Sequence, residues 1–286
     1  MSSNRDDHVA EIEQSVGPFT GFGNFFTKEI LDWWKSWRLI IIFAIPALVA
    51  TLEVFFGYPE MKRHFIDREG ISQERLATFI VLGQLRSPVL LIFIIIFSTM
   101  GLLTTEKHTG TLAWNLTKPL GRTGLLTAKW LAATTIIWVA MCVLPVLIAS
   151  LCMIGYNGVT PMFAKMMPIV AVAFLWIGFW VLMMLTISLG FQSQGAVGGI
   201  AIACWIVPAL FSLLLGEVLG KEARDWLLDR FAPNAPMWAF TLVADDELIM
   251  FGKRDSKDVW IWAFAVWSIV LSAFSLRIFN RQEIGS

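Results

Sequence analysis

The sequence predicts an all-α integral membrane protein with six transmembrane helices and an N-terminal amphipathic connecting helix. Of its 286 residues, 57% are hydrophobic and only 15% are charged, and its mean hydropathy is +0.68. A soluble domain carries about 25% charged residues, so this composition excludes an ordinary soluble domain. Lys and Arg balance Asp and Glu at 22 each, so the net charge gives no reason to expect nucleic acid as a partner.

Six apolar runs are candidate spans, because a membrane-spanning helix needs about 20 mostly apolar residues. The runs are Leu39–Phe56, Val89–Leu103, Leu131–Ile154, Pro168–Phe191, Gly195–Leu215 and Val259–Ile278. The second run is short, and we expect it to extend back through Ala77–Leu85 with a kink at Pro88, which places Arg86 near a membrane face. Only a few residues around 192–194 join the fourth and fifth runs, which predicts a tight hairpin.

The N-terminal region, residues 1–38, is predicted to be cytoplasmic and to precede a single transmembrane domain over residues 39–286. Within it, Phe19–Arg38 has the pattern of an amphipathic helix lying at the membrane interface. Its apolar side holds Phe22, Phe25, Phe26, Ile30, Trp33, Trp34 and Trp37, and its polar side holds Lys28, Asp32, Lys35 and Arg38. Tryptophan at the headgroup level is an expected anchor. A plain pre-membrane helix and a functional connector both fit this pattern.

A second polar region, residues 216–258, separates the fifth and sixth runs. It contains a short amphipathic segment at Lys221–Phe231, followed by Pro233 and Pro236, which end a helix. With six spans, both termini lie on one side of the membrane. Lys and Arg are divided almost equally between the two sides, but the acidic residues and the basic flank of the first span favour cytoplasmic termini. Residues 216–258 then form an extracellular cap.

No motif of a catalytic or nucleotide-binding site occurs in the sequence. It contains no Walker A pattern, no GxSxG and no HExxH. The histidines are scattered, and the cysteines lie inside apolar runs, so the sequence predicts neither a metal site nor a disulfide framework. The one ionisable residue well inside a span is Glu53, which either faces a wet cavity with a partner such as Arg86 or extends to the outer interface. We therefore expect no catalytic residue, metal or cofactor in this chain.

The segment Glu106–Lys129, EKHTGTLAWNLTKPLGRTGLLTAK, is a short polar stretch between two long apolar runs. Its part at about 109–120 predicts a short helix on the cytoplasmic face, since Leu112, Leu116 and Leu120 recur at i, i+4 and i+8. Lys118 lies off that stripe, and the sequence Pro-Leu-Gly that follows it is a stop signal. Such a helix lets a soluble partner act on the spans behind it; a purely structural corner is the alternative.

The spacing Glu-x3-Gly-Thr-Leu-x3-Leu-x2-Pro-x2-Arg-x6-Lys resembles the signature of the type-2 ABC transporter permeases. These are six-span subunits of bacterial and archaeal exporters that share the fold of the ABCG-like transporters. The matching positions are Glu106, Gly110, Thr111, Leu112, Leu116, Pro119, Arg122 and Lys129. The resemblance is strong over this segment and extends to the rest of the chain by layout. Ala128 and Gly121 depart from the residues usual at their positions.

The resemblance implies a membrane subunit of an ATP-driven exporter in the prokaryotic cytoplasmic membrane. Segment 109–120 would be the coupling helix, seated on a separate nucleotide-binding subunit that is present in two copies and binds ATP and Mg²⁺. Glu106 would pair with Arg122 or Lys129. A second permease copy, giving a homodimer, would face the first across spans two and five. Gly195, Gly198 and Gly199 in span five would allow close helix packing.

A pathway lined by Phe93, Phe97, Trp205 and Phe211, with Glu53 as a polar member, would suit an apolar or amphipathic substrate such as a lipid, drug or peptide. The same aromatic side chains could instead face lipid. Two alternatives stay open at this stage. One is a permease for copper-enzyme maturation that moves a sulfur or metal-related species, for which Cys204 is the hint. The other is a membrane immunity or assembly protein without transport.

Overall fold

Helices and the short turns between them make up the part that the computed structural model describes, residues 19–66, 70–86, 88–111, 122–219 and 257–281, and no strand occurs there. Its α-helices are α1 (Phe22–Trp34), α2 (Trp37–Leu52), α3 (Tyr58–Met61), α4 (Gln73–Val81), α5 (Pro88–Thr99), α6 (Thr104–Thr109), α7 (Arg122–Trp138), α8 (Leu144–Asn157), α9 (Phe163–Gly190), α10 (Gln194–Leu219) and α11 (Lys257–Arg281). The predicted all-α class is confirmed for these ranges.

Four helical stretches in the described ranges are long and apolar enough to cross a membrane. They are Trp37–Ile66, Val89–Thr109, Thr123–Asn157 and Phe163–Gly190. The predicted fifth and sixth spans correspond to α10 and α11, whose apolar parts with described side chains, Gln194–Val207 and Ala265–Phe279, are shorter. A multi-pass membrane protein is therefore supported. The count of six spans and the ABCG-like arrangement stay predictions.

Two of the long helices contain π-helical turns next to a proline. One turn, Glu53–Gly57, follows α2, and another, Val139–Val143, joins α7 to α8. Pro59 and Pro145 each come two residues after such a turn. Proline has no N–H to donate to the carbonyl four residues earlier, and a π turn is one way for a helix to pass such a gap without ending. The chain therefore stays helical past both prolines.

The region before Val89 differs from the predicted kinked helix. The chain leaves α4 at Val81, makes a 3-10 turn over Gly83–Arg86, and begins α5 at Pro88. Proline suits the first position of a helix because the N–H that it lacks would have no intrahelical partner there. Pro88 thus starts a new helix, and the expectation of one continuous helix with a kink was wrong.

The predicted interfacial helix is present but is shorter than expected. It ends at Trp34, and α2 begins at Trp37. The break arises at Ser36, the N-cap of α2, whose hydroxyl accepts a hydrogen bond from Arg38 N at 3.3 Å. Trp34 is exposed, as an interface anchor requires, whereas Phe25 is buried, and α1 packs along α7. The N-terminal helix is therefore bound to the bundle.

The long helix α9 is the centre of the packing. It contacts α5, α7, α10 and α11, and its side chains are buried around most of its circumference, as expected for a helix that is apolar on all sides. Two tryptophans bind its backbone: Trp130 Nε1 donates to Gly178 O at 2.7 Å, and Trp138 Nε1 donates to Val170 O at 2.8 Å. The predicted hairpin is confirmed, because only residues 191–193 separate α9 from α10.

Three of the sequence predictions fall wholly or mainly on residues outside the described ranges. They are the predicted cytoplasmic N-terminal region before residue 19, most of the coupling helix at about 109–120, and most of the extracellular cap at about 216–258.

Candidate functional site

The helix α6 contains the first residues of the polar segment Glu106–Lys129, and Gly110 ends this helix. Gly110 has a φ of 69°, a left-handed conformation that glycine adopts without steric cost, and its N–H bonds to Lys107 O at 3.3 Å. Thr109 Oγ1 and Thr111 Oγ1 lie 2.8 Å apart. Thr109 is thus the last residue of α6. The predicted coupling helix can begin only after the turn at Gly110.

A buried ion cluster fixes α6 to two other helices. Lys129 Nζ, on α7, lies 2.7 Å from Glu106 Oε1 on α6 and 2.8 Å from Glu29 Oε1 on α1. The Lys129 side chain is only 2% exposed. The pairing of Glu106 with one of two basic residues is confirmed, with Lys129 as the partner. One ammonium group therefore joins α7 to the neighbouring helix α6 and to α1, whose Glu29 is 100 residues away in the sequence.

Burial explains why Lys129 has so many partners. An ammonium group without counter-charges in an apolar interior would cost several kcal/mol, so a buried lysine needs carboxylates. The ring of Phe25 adds a third contact, with its centroid 5.4 Å from Lys129 Nζ. The residues of α1 therefore cover Lys129, through Glu29 and the Phe25 ring.

Glu29 is the member of the cluster that the sequence analysis missed. Burial raises the pKa of its carboxyl group above the usual range, and the nearby charge of Lys129 opposes that rise. A signal was present in the sequence: positions 22, 25, 26, 29 and 33 lie on one face of a helix, and all but position 29 are aromatic. A carboxylate within an apolar stripe requires a buried cation, so Glu29 could have been identified.

The cluster lines a cleft of about 210 Å³ between α1, the start of α2, the turn after α5 and α6. Arg38 lies on its wall and donates from Nη1 to Ser98 O at 3.4 Å, close to the C-terminus of α5. Gly101 lies in the same wall, where an added Cβ would come within 3.3 Å of that guanidinium group. Glu106 Oε2 is buried and makes no hydrogen bond within the described part of the chain. Glu106, the first residue of the motif, therefore lies in a pocket that is lined by charged and polar side chains.

The opposite side of α6 contacts the turn between α9 and α10. Lys107 Nζ donates to Ser188 O at 2.8 Å and to Leu189 O at 2.7 Å. His108 Nε2 lies 2.9 Å from Gln192 O, and because a carbonyl only accepts, this nitrogen carries the proton. Gln194 Nε2 donates to Thr105 Oγ1 at 3.0 Å. The six-residue helix is thus bound on both sides.

Three of the predicted pathway residues come together. Phe93 stacks on Phe97 with centroids 6.2 Å apart, and it meets Trp205 edge-to-face at 5.9 Å, which joins α5 to α10. Phe97 is 57% exposed and Phe211, further along α10, is 54% exposed. The structure thus brings Phe93, Phe97 and Trp205 into one aromatic group with an open side.

The other predicted residues are more widely spread. Glu53 is half-buried at the end of α2 and packs against Gly83, where an added Cβ would overlap its carboxylate. Gly198 faces Met100 Sδ at 3.5 Å from an added Cβ, whereas Gly199 has open space at that position and Gly195 meets only Ser193. Within one copy, therefore, Gly198 makes the contact between α10 and the end of the second span. The side chains of Arg86 and Arg122 lie outside the described residues, as do Leu112, Leu116, Lys118 and Pro119 entirely.

A family model for ABC-2 family transporter proteins matches residues 24–284, from α1 to beyond the end of α11. The chain belongs to the ABC-2 family of transporter proteins. The resemblance to type-2 ABC permeases is therefore confirmed over nearly the whole chain. Permeases of this family are typically non-catalytic membrane subunits that associate with an ABC ATPase. A comparison with curated proteins finds no match.

Proposed function

We propose that this permease is the membrane half of an ATP-driven exporter whose ATP and Mg²⁺ are bound by a separate nucleotide-binding chain. Two ATPase copies would act on two permease copies in a prokaryotic cytoplasmic membrane, with both termini of the permease in the cytoplasm. Family membership supports the ATPase partnership. The absence of a Walker A pattern from the sequence supports placing nucleotide chemistry in another chain.

The main observation that supports this proposal is that the first residue of the segment Glu106–Lys129, here called the coupling motif, is bound to the helix bundle. The motif begins at Glu106, whose carboxylate bonds to buried Lys129 on the third span, and Lys129 in turn binds Glu29 on α1. A force applied to the segment after Gly110 would reach α1 and α7 through these short, buried bonds. An exposed loop held only by surface charge pairs would not transmit force in this way, because such pairs contribute little.

In the proposed cycle, ATP binding closes the two ATPase subunits and displaces the coupling segment. The displaced segment moves α6, and α6 moves the second span, of which it is the cytoplasmic end. Nucleotide drives this change only if the contacts of the coupling segment differ between the two states. Glu106 Oε2 is buried and makes no hydrogen bond within the described residues. This oxygen can therefore gain a hydrogen-bond partner in one of the two states.

The substrate that we propose is apolar or amphipathic. The aromatic group of Phe93, Phe97 and Trp205 lies between α5 and α10 and has an exposed side at Phe97. Aromatic faces bind apolar chains and planar groups through large buried areas. The two alternatives, copper-enzyme maturation and a non-transporting accessory protein, are not favoured by the family match, and we do not propose them.

The experiment that tests this function is purification of the tagged permease from native membranes in mild detergent. We expect an ATPase with a Walker motif to co-elute in stoichiometric amount, and to be lost when the sequence of residues 110–119 is scrambled. A matched control, Lys28→Met in the exposed part of α1, should retain the ATPase. A folded permease that elutes without any ATPase would contradict the proposal.

Charge reversal within the motif tests coupling more finely. In Glu106→Lys the new ammonium group faces Lys129 in place of a carboxylate, and we expect ATP hydrolysis to become independent of substrate movement while membrane insertion persists. Arg122→Glu tests the other basic residue of the motif. Normal transport in both variants, once a substrate is known, would show that the coupling assignment is wrong.

A further inference from the structure

The C-terminus of α9 is a helix end that lacks a cation of its own. The last four carbonyl groups of a helix have no intrahelical partner, and the aligned peptide dipoles place a partial negative charge there. No basic residue occurs in the last turn of α9. Lys107 supplies the charge from α6, more than 80 residues away in the sequence, and donates to two of these terminal carbonyls.

The contact of Lys107 lies where the central helix α9 ends and the chain turns into α10. Ser188 and Leu189 are in the last turn of α9, the central helix of the bundle, and the three residues after α9 form the turn into α10. His108 binds that turn at Gln192 O, and Gln194 at the start of α10 binds Thr105. Three residues of α6 therefore contact the α9–α10 hairpin at three separate points.

We propose that Lys107 is a positioning residue that carries the movement of α6 to the α9–α10 hairpin, as a second coupling route beside Glu106 and Lys129. The proposal rests on the function proposed above. Glu106 would direct movement to α1 and α7, and Lys107 would direct it to α9 and to α10, the helix that holds Trp205. The two neighbouring side chains point to different parts of the bundle, so one displacement of α6 reaches both.

The chemistry of the Lys107 contact suits a coupling role. A charged donor on a carbonyl is stronger than a neutral hydrogen bond, and both distances are below 3 Å. Lys107 is half-buried, and its ammonium group binds two neutral carbonyl oxygens. Because both contacts are short, a displacement of Lys107 would be passed directly to the backbone of α9.

The test is amide hydrogen exchange on the complex of permease and ATPase purified from native membranes, with and without ATP and vanadate. In the parent, we expect trapping to change deuterium uptake in peptides from α6 and from the hairpin at 191–193. In Lys107→Met, the α6 change should persist while the hairpin change is reduced, because only the contacts of His108 and Gln194 remain, and Lys107→Arg should restore it. Lys28→Met, an exposed lysine with a weak i,i+4 pair, is the matched control and should respond as the parent does.

Each outcome separates this inference from the function on which it rests. A parent complex that shows no response to nucleotide in any peptide would contradict the proposed function itself. A parent that responds, together with a hairpin response that is unchanged in Lys107→Met, would overturn the role of Lys107 alone. If Lys107→Met is not recovered folded, Lys107→Gln replaces it, since its shorter neutral side chain also fails to reach both carbonyls with a charge.

Discussion

Glu106 and Lys107 are neighbours in α6, but they bind the helix to the bundle in different ways. Glu106 makes a charge–charge contact with Lys129, which is buried and shared with Glu29. Lys107 makes a charge–dipole contact with the backbone of α9 and stays half-buried. The first contact needs specific side chains at both ends. The second needs only one lysine and a helix end, so substitutions on the two sides should have unequal consequences.

The largest effect is expected from Lys129→Met, which leaves Glu29 and Glu106 facing each other without a cation. Breaking a buried ion pair on one side costs about 3–5 kcal/mol. The measurement is the thermal unfolding midpoint of the purified permease in detergent, compared with Lys28→Met. A triple variant that adds Glu29→Gln and Glu106→Gln should recover part of the loss. If Lys129→Met is as stable as Lys28→Met, the cluster does not hold these helices together.

The next effect distinguishes the two carboxylates. Glu106→Gln removes a charged partner of Lys129 and should destabilise the permease by about 1.5–3 kcal/mol. Glu29→Gln should cost less, because burial already raises the pKa of Glu29 and so disfavours its ionised form. The two variants are compared by denaturant or thermal unfolding. A larger loss for Glu29→Gln would reverse our ranking of the two ion pairs.

A smaller effect is expected where α6 ends. Gly110→Ala places a Cβ at a φ of 69°, at a cost of about 1–2 kcal/mol, and it should also weaken ATPase binding by misdirecting the motif. Gly155→Ala in α8 is the matched control, because an added Cβ there meets no atom within 4 Å and the backbone is helical. The amount of co-purified ATPase and the unfolding midpoint report the two consequences. If both variants have the same unfolding midpoint and retain the same amount of ATPase, the left-handed turn at Gly110 neither stabilises the permease nor directs the motif.

The smallest effect is a pH dependence that arises from Glu29. Because its pKa is raised in the folded protein, its stabilising contribution is complete below its ordinary value of 4.5 and is lost as the pH rises through the folded value. The unfolding midpoint of the parent should therefore fall over that window, and Glu29→Gln should lack this component. An identical pH profile for both proteins would contradict the burial that we assign to Glu29.

Much of this fold could be predicted from the sequence because apolar runs and prolines act locally. The hairpin between α9 and α10 and the amphipathic α1 followed from composition and periodicity. The motif resemblance predicted that Glu106 pairs with Arg122 or Lys129, and the structure selects Lys129. The contacts of Glu29 and Lys107 were not predicted, because each depends on which helices pack together. The break before Pro88 was missed because a kinked helix and a new helix have the same apolar pattern.

The central claim is that movement of the coupling motif reaches α1 through Glu106 and Lys129. The most direct test measures amide hydrogen exchange in peptides covering α1, in the ATPase-bound permease with and without ATP and vanadate. We predict that α1 responds to nucleotide in the parent, and that Glu106→Gln abolishes this response while the ATPase stays bound. An α1 response that is absent from the parent, or unchanged in Glu106→Gln, would contradict the account.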